Sequence, residues 1–154
     1  MIDIADVHEV VGKWWWNYDA GNFDLLAGML TDDVHFACRT DTGTTPYEAF
    51  VRADIRGRDA VMAWQTDHRL HSPYPLRHNG TNVHVTQRRD DEADFRSYIF
   101  VTQIAGGAVS NLSSGLCLGR VRIEDGSVRI AELRVVLDVS DSELFSAAER
   151  QQPA

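Results

Sequence analysis

At 154 residues the chain has the length of one domain, 1–154, and can bury a core without disulfide or metal staples. Its 15 basic and 23 acidic side chains leave a net charge of −8, which argues against a phosphate-binding surface and hence against a nucleic-acid partner. No apolar run approaches the roughly 18 residues of a membrane span, and the start MIDIADVHEV is acidic and amphipathic rather than a secretory signal, so a cytoplasmic protein without membrane contact is expected.

Ile4, Val7, Val11, Trp14 and Tyr18 recur at helical spacing behind Asp3, a natural cap, and Gly21 stops that helix. Asn22 is read as the cap of a second helix with Phe23, Leu26, Ala27 and Leu30 on one side. Thr31-Asp32-Asp33 turns the chain into a short strand, Val34 to Cys38. Thr45-Pro46-Tyr47-Glu48 has the pattern of a capping box with proline at the first helical position, predicting a short helix to about Ala53. A further helix is predicted from Arg58 to Leu70, closed by Ser72-Pro73-Tyr74-Pro75.

Strand signals then dominate, near 77–87, 93–104, 108–123 and 127–138, separated by polar or glycine turns. In the last of these Ala131, Leu133, Val135 and Leu137 alternate with Glu132, Arg134 and Asp138. Ser140 with Glu143 forms a second capping-box pattern, expected to open a short C-terminal helix. The whole predicts an α+β fold in which a curved antiparallel sheet, wrapped by N-terminal helices into a cone, encloses an internal pocket. Tyr98 and Phe100 are expected on the outer face, where an apolar patch favours a homodimer or homotrimer.

The order of helix, YDAGNFDLLAGMLTDDVHF (18–36), helix, RHNGTNVHV (77–85) and long strands ending in DGSVRIAEL (125–133) resembles the nuclear transport factor 2-like superfamily. Within it the chain is similar to the SnoaL-like branch, with scytalone dehydratase, hexachlorocyclohexane dehydrochlorinase and bile-acid dehydratase as relatives. That superfamily hosts cyclases, isomerases, lyases, hydrolases and plain binders, so the likeness implies a fold more than an activity. YDAGNFD resembles the segment carrying a tyrosine and the aspartate of an Asp–His pair, which implies roles for Tyr18 and Asp19; HNGTN (78–82) resembles the segment beginning with the catalytic histidine, which implies one for His78. Trp14 stands where relatives carry a tyrosine or lysine, and Cys38 and Gly119 stand where ketosteroid isomerase needs its aspartate base and its protonated acid, so that chemistry is not expected.

Histidine titrates near working pH when unperturbed. Held by a carboxylate at one ring nitrogen, His78 could use the other as a general base, with Tyr18 as the nearest hydroxyl donor. The bland alternatives are a solvated helix-end carboxylate for Asp19, a backbone-bonded strand histidine for His78 and a core position for Tyr18. A helix turns about 100° per residue, so Trp14, Trp15 and Trp16 cannot all face inward. Trp14, Trp15, Cys38, Trp64, Leu133 and Val135 are the expected pocket wall.

The leading expectation is a cofactor-independent lyase, isomerase or cyclase using an Asp–His base on an apolar cyclic or polyketide-like small molecule. The alternatives are a non-catalytic subunit, since the chain also resembles the β subunit of aromatic-ring-hydroxylating dioxygenases, and a binder of a hydrophobic metabolite. His68, His71, His78 and His84 form no conventional metal motif, and Asp67 is read as a partner of Arg69, so no metal is expected. Cys38 and Cys117 are read as buried free thiols.

Overall fold

The computed structural model describes residues 1–146. Asp3 and Asp6 close a reciprocal capping box, each backbone N–H donating to the other's carboxylate at 2.9 Å, and this opens α1 (Ile4–Ala20). The chain leaves α1 through Gly21 at φ 71°, a left-handed conformation that a side chain would disfavour. After α2 (Phe23–Gly28) comes β1 (Leu30–Thr40), which begins well before the expected Val34. Asn22 occupies the cap position of α2 but makes no cap bond, because its amide donates to Asn17 Oδ1 at 3.1 Å.

The capping box expected at 45–48 does not form either. Glu48 is drawn inward by Thr40, whose hydroxyl donates to it at 2.5 Å and whose backbone N–H donates at 3.3 Å, and α3 (Glu48–Val51) is one turn long. A strand without a clear sequence signal, β2 (Ala53–Arg56), precedes α4 (Arg58–Leu70). Four long strands complete the fold: β3 (Leu76–Arg88), β4 (Glu92–Ala105), β5 (Ala108–Glu124) and β6 (Ser127–Leu137). Residues 141–144 have no regular structure and 145–146 form a turn; the rest of the expected C-terminal helix lies outside the described residues. Ser140 and Val139 instead donate their backbone N–H groups to the Asp41 carboxylate, each at 3.2 Å.

The sheet is six-stranded, curved and unclosed, in the order β2-β1-β6-β5-β4-β3. From β3 to β6 it is an antiparallel meander, and β2 pairs antiparallel with β1. Strand β1 lies parallel to β6, with Phe36 opposite Leu133 and Cys38 opposite Val135, so the sheet is antiparallel except at this one ladder. A register shift between Arg120 and Val121 leaves Ala131 unpaired. The buried series on β6 is therefore Ile130, Leu133 and Val135, with Ala131 displaced from the inner row.

The helices cover the concave face, and the core lies between them and the sheet, with Val7, Val11, Trp14, Leu26, Phe95 and Val121 all buried. On β3, α1 packs closely over Gly80, where a Cβ would come within 2.9 Å of Val11 Cγ1 and 3.1 Å of Trp15 Cδ1. Neither neighbour is the loose end of a long side chain, so Gly80→Ala should push α1 outward. The expected cost is about 1–3 kcal/mol, read as a lower midpoint in urea unfolding; an unchanged midpoint would show that α1 is not seated on this glycine. Tyr98 and Phe100 alternate with buried Ile99 and Val101 and lie exposed on the outer face. Among the described residues no helix is long and apolar enough to cross a membrane.

Candidate active site

Helical spacing sets Trp15, Tyr18 and Asp19 at i, i+3 and i+4 on the face of α1 that meets β3. The period of two in β3 sets Leu76, His78 and Gly80 on one face. Where these faces meet, Asp19 Oδ1 lies 2.5 Å from His78 Nδ1, and Asp19 Oδ2 accepts the His78 backbone N–H at 2.8 Å. One carboxylate thus grips one residue twice, with side chains only 9% and 11% exposed. Ring orientation is fixed further by Trp15, stacked on His78 at 4.9 Å and 6°, and by the edge of Tyr18 at 5.0 Å. A carboxylate acceptor at Nδ1 places the ring proton there and leaves Nε2 as the free basic nitrogen.

His78 lines a cavity of about 410 Å³ between α1, α3, α4 and the sheet. Trp15, Cys38, Trp64 and Val135 of the expected wall line it, joined by Phe36, Phe50 and Val101. Trp14 and Leu133 do not. Both bound a small hole deeper in the core, with Phe95, Cys117 and Ile130. The three consecutive tryptophans split as the helix demands: Trp14 and Trp15 are buried and Trp16 is 75% exposed. Burial, with a smaller contribution from Glu48, pushes the Cys38 thiol up to about 12, so it is a neutral wall group rather than a nucleophile.

Tyr18 does not offer its hydroxyl to the cavity alone, because the oxygen lies 2.5 Å from His68 Nδ1 on α4. Burial raises the phenol above its ordinary value. Burial also lowers His68 to about 4, with His78 and Arg69 adding to that effect and Asp67 opposing it. Both groups are therefore neutral at pH 7. His68 is stacked between Phe50, at 4.4 Å, and Trp64, at 4.6 Å.

The lowered value has a consequence for stability. An unfolded imidazole takes its proton near pH 6.5, whereas the folded ring takes it near 4, so the stability due to neutral His68 is complete above about 6.5 and is lost as pH falls toward 4. His68→Phe should therefore lose less stability than the wild type between pH 7 and pH 4.5 in urea titrations; parallel losses would count against a buried neutral ring.

Sequence reasoning missed the position of Arg69. It is buried and turns away from Asp67, which instead lies beside His71, with Asp67 Oδ1 3.4 Å from His71 Nδ1. The Arg69 guanidinium donates to the carbonyl oxygens of Tyr18 at 3.1 Å, Asp19 at 2.9 Å and Pro73 at 3.0 Å. The i, i+4 spacings Trp64–His68 and Gln65–Arg69 were the available signal for two inward rows on α4. His71 is exposed and His84 bonds the Asn82 carbonyl, and among the described residues no group of three His, Cys, Asp or Glu could hold a metal ion.

Residues 1–134 match the SnoaL-like domain. The chain belongs to the SnoaL-like family. Its likeness to solved structures concerns the fold. A nuclear transport factor 2-like protein with a cystatin-like fold from Novosphingobium aromaticivorans is 18% identical, with a TM-score of 0.70 over 86% of this chain and 80% of that one. A candidate scytalone dehydratase from the same organism gives 14% identity and a TM-score of 0.71 over 94% of each chain. The β subunit of the benzoate 1,2-dioxygenase from Burkholderia mallei gives 17% identity and a TM-score of 0.68 over 89% of this chain and 91% of that one. No curated protein matches the chain significantly by sequence.

Proposed function

We propose that this SnoaL-like chain is a cofactor-independent lyase, isomerase or cyclase in which Asp19 and His78 act as a general base on an apolar cyclic or polyketide-like small molecule. One observation carries the reading: a histidine on an apolar cavity has its Nδ1 2.5 Å from a carboxylate oxygen and its backbone held by the other oxygen. In the step this supports, His78 Nε2 removes a proton from a carbon activated by a neighbouring carbonyl. Asp19 stabilises the imidazolium that forms. The imidazolium then returns the proton either to a leaving hydroxyl, which departs as water, or to a different carbon of the same molecule. A base of this kind contributes about 10²–10⁴-fold. The aromatic wall keeps water from competing for the proton.

Deuterium uptake from D2O into a panel of cyclic ketones, followed by mass spectrometry, tests the reading without the natural substrate. The wild type should catalyse uptake and His78→Ala should not. Equal uptake by both would sink the proposal. The fold shared with a dioxygenase β subunit supports a second, non-catalytic reading, and ligand binding without any deuterium uptake would favour that one or a plain metabolite binder.

A further inference from the structure

The cavity beside Asp19 and His78 holds an amide that nothing in the protein uses. Gln65 on α4 is only 4% exposed and lines this cavity. Among the described residues its side chain has no hydrogen-bond partner. Yet neither its oxygen nor its nitrogen is sealed off, in contrast to the unpartnered atoms Trp14 Nε1 and His68 Nε2. The amide of an otherwise enclosed residue therefore keeps accessible surface, and the cavity is the space that supplies it. Neighbouring polar groups are committed elsewhere: the Tyr18 hydroxyl lies 2.5 Å from His68 Nδ1, and the Ser72 hydroxyl donates to the His68 carbonyl at 2.7 Å. Among the described residues no lysine or arginine lines the cavity. One turn further along α4, Arg69 is spent on the carbonyls of Tyr18 and Asp19.

We infer that Gln65 is a specificity residue that binds a cis-amide edge, the adjacent N–H and C=O of a lactam or imide ring, on an otherwise apolar ligand. A carboxamide carries its acceptor and its donors in one plane. No protein bond holds this one, so both ends are open, and a buried polar group left unpaired costs free energy that a matching ligand relieves. A hydroxyl matches one end at a time. A carboxylate accepts from the amide nitrogen but sets its second oxygen against Gln65 Oε1, and it brings a charge into a cavity with no cation on its wall. A lactam edge meets both ends at once: its N–H donates to Gln65 Oε1 and its carbonyl accepts from Gln65 Nε2. A ligand without that edge leaves both ends unpaired, which is how such a site rejects it. The edge is an anchor and not the reacting carbon. The inference deepens the general-base reading by naming a ligand class; it rests on that reading for the site and not for the proton transfer.

Equilibrium dialysis against 2-quinolinone, 2-naphthol and naphthalene tests this, because the three share one planar bicyclic skeleton and present a lactam edge, a lone hydroxyl and no polar group. Gln65→Met keeps the length of the side chain. It should weaken 2-quinolinone by roughly thirtyfold, 2-naphthol by roughly fivefold and naphthalene not at all, as two, one and no buried hydrogen bonds are lost. Its urea midpoint should stay level or rise, since no bond within the protein is removed. In wild-type protein labelled with ¹⁵N-glutamine, the Gln65 amide resonances should shift with 2-quinolinone and not with naphthalene, a measurement that does not depend on the variant folding. Asp19→Asn should bind 2-quinolinone as the wild type does, so that recognition and proton transfer fail separately. An undiminished affinity of Gln65→Met for 2-quinolinone, an equal loss for all three compounds, or Gln65 resonances blind to 2-quinolinone would overturn the inference, whatever the outcome of deuterium uptake. A clearly lowered urea midpoint would overturn it too, by giving the amide to the fold.

Discussion

Asp19→Asn is expected to lower proton-transfer turnover by about 10³–10⁴-fold while leaving the fold intact. Two N–H groups of His78, one on the ring and one on the backbone, both point at the Asp19 carboxylate. An asparagine has one oxygen to offer, and its amide nitrogen would face whichever N–H is left. The least costly relief moves the ring proton from Nδ1 to Nε2, so that Nδ1 accepts from the asparagine amide. The cavity nitrogen then becomes a donor, and the base is lost although every heavy atom stays in place. His78→Ala should remove the same activity by deleting the ring, and should also open the face on which Trp15 stacks. Deuterium uptake measures the loss, and ¹⁵N-histidine spectra show whether the tautomer has changed. If Asp19→Asn changes the tautomer and the rate survives, His78 is not the base. If the tautomer and the rate both survive, the carboxylate does not set the ring proton.

The pair was legible in the sequence because YDAGNFD and HNGTN each resemble a family segment that carries one member of an Asp–His pair, and the structure sets each member on a face that local periodicity allows. Asp19 shares a helical face with Trp15, and His78 shares a strand face with Leu76 and Gly80. The neighbours were less legible because they are set by tertiary packing. Trp14 and Trp15 differ by one helical step, and it is the seating of α1 on Gly80 that sends Trp15 to the cavity wall and Trp14 to the deeper core. Tyr18 could be placed on the inner face of α1, yet its hydroxyl partner comes from α4, fifty residues away in the chain.

The sheet divides in the same way. The meander from β3 to β6 follows from turn signals and alternation, whereas the parallel contact between β1 and β6 joins segments far apart in sequence and leaves no local trace. The bulge at Ala131 moved Ile130 into the inner row, a change of register that alternation alone cannot reveal. Charge was the most misleading guide. Asp67 and Arg69 lie close in sequence, but the arginine turns inward to donate to the carbonyl oxygens of Tyr18 and Asp19 at the end of α1.

Arg69→Met is accordingly expected to destabilise the protein by about 3–5 kcal/mol, the range for losing a buried charged group that holds several acceptors. Helix α1 ends with no basic residue in its own last turn, so the negative end of its dipole is met by a cation from α4. Methionine would replace much of the side-chain stem and leave the carbonyls of Tyr18, Asp19 and Pro73 without this donor. Because those carbonyls belong to the residues of the site, a shift at the helix end would also carry the Asp19 carboxylate away from His78. Urea unfolding reads the first effect, and the His78 Nδ1–H resonance of the folded protein reads the second. Arg69→Lys keeps the charge but reaches fewer acceptors, so it should recover part of the stability and less of the resonance. An unchanged unfolding midpoint in Arg69→Met would show that the end of α1 is held by its packing alone. A lowered midpoint with an intact His78 signal would confine Arg69 to stability and leave the alignment of the pair to Trp15 and Gly80.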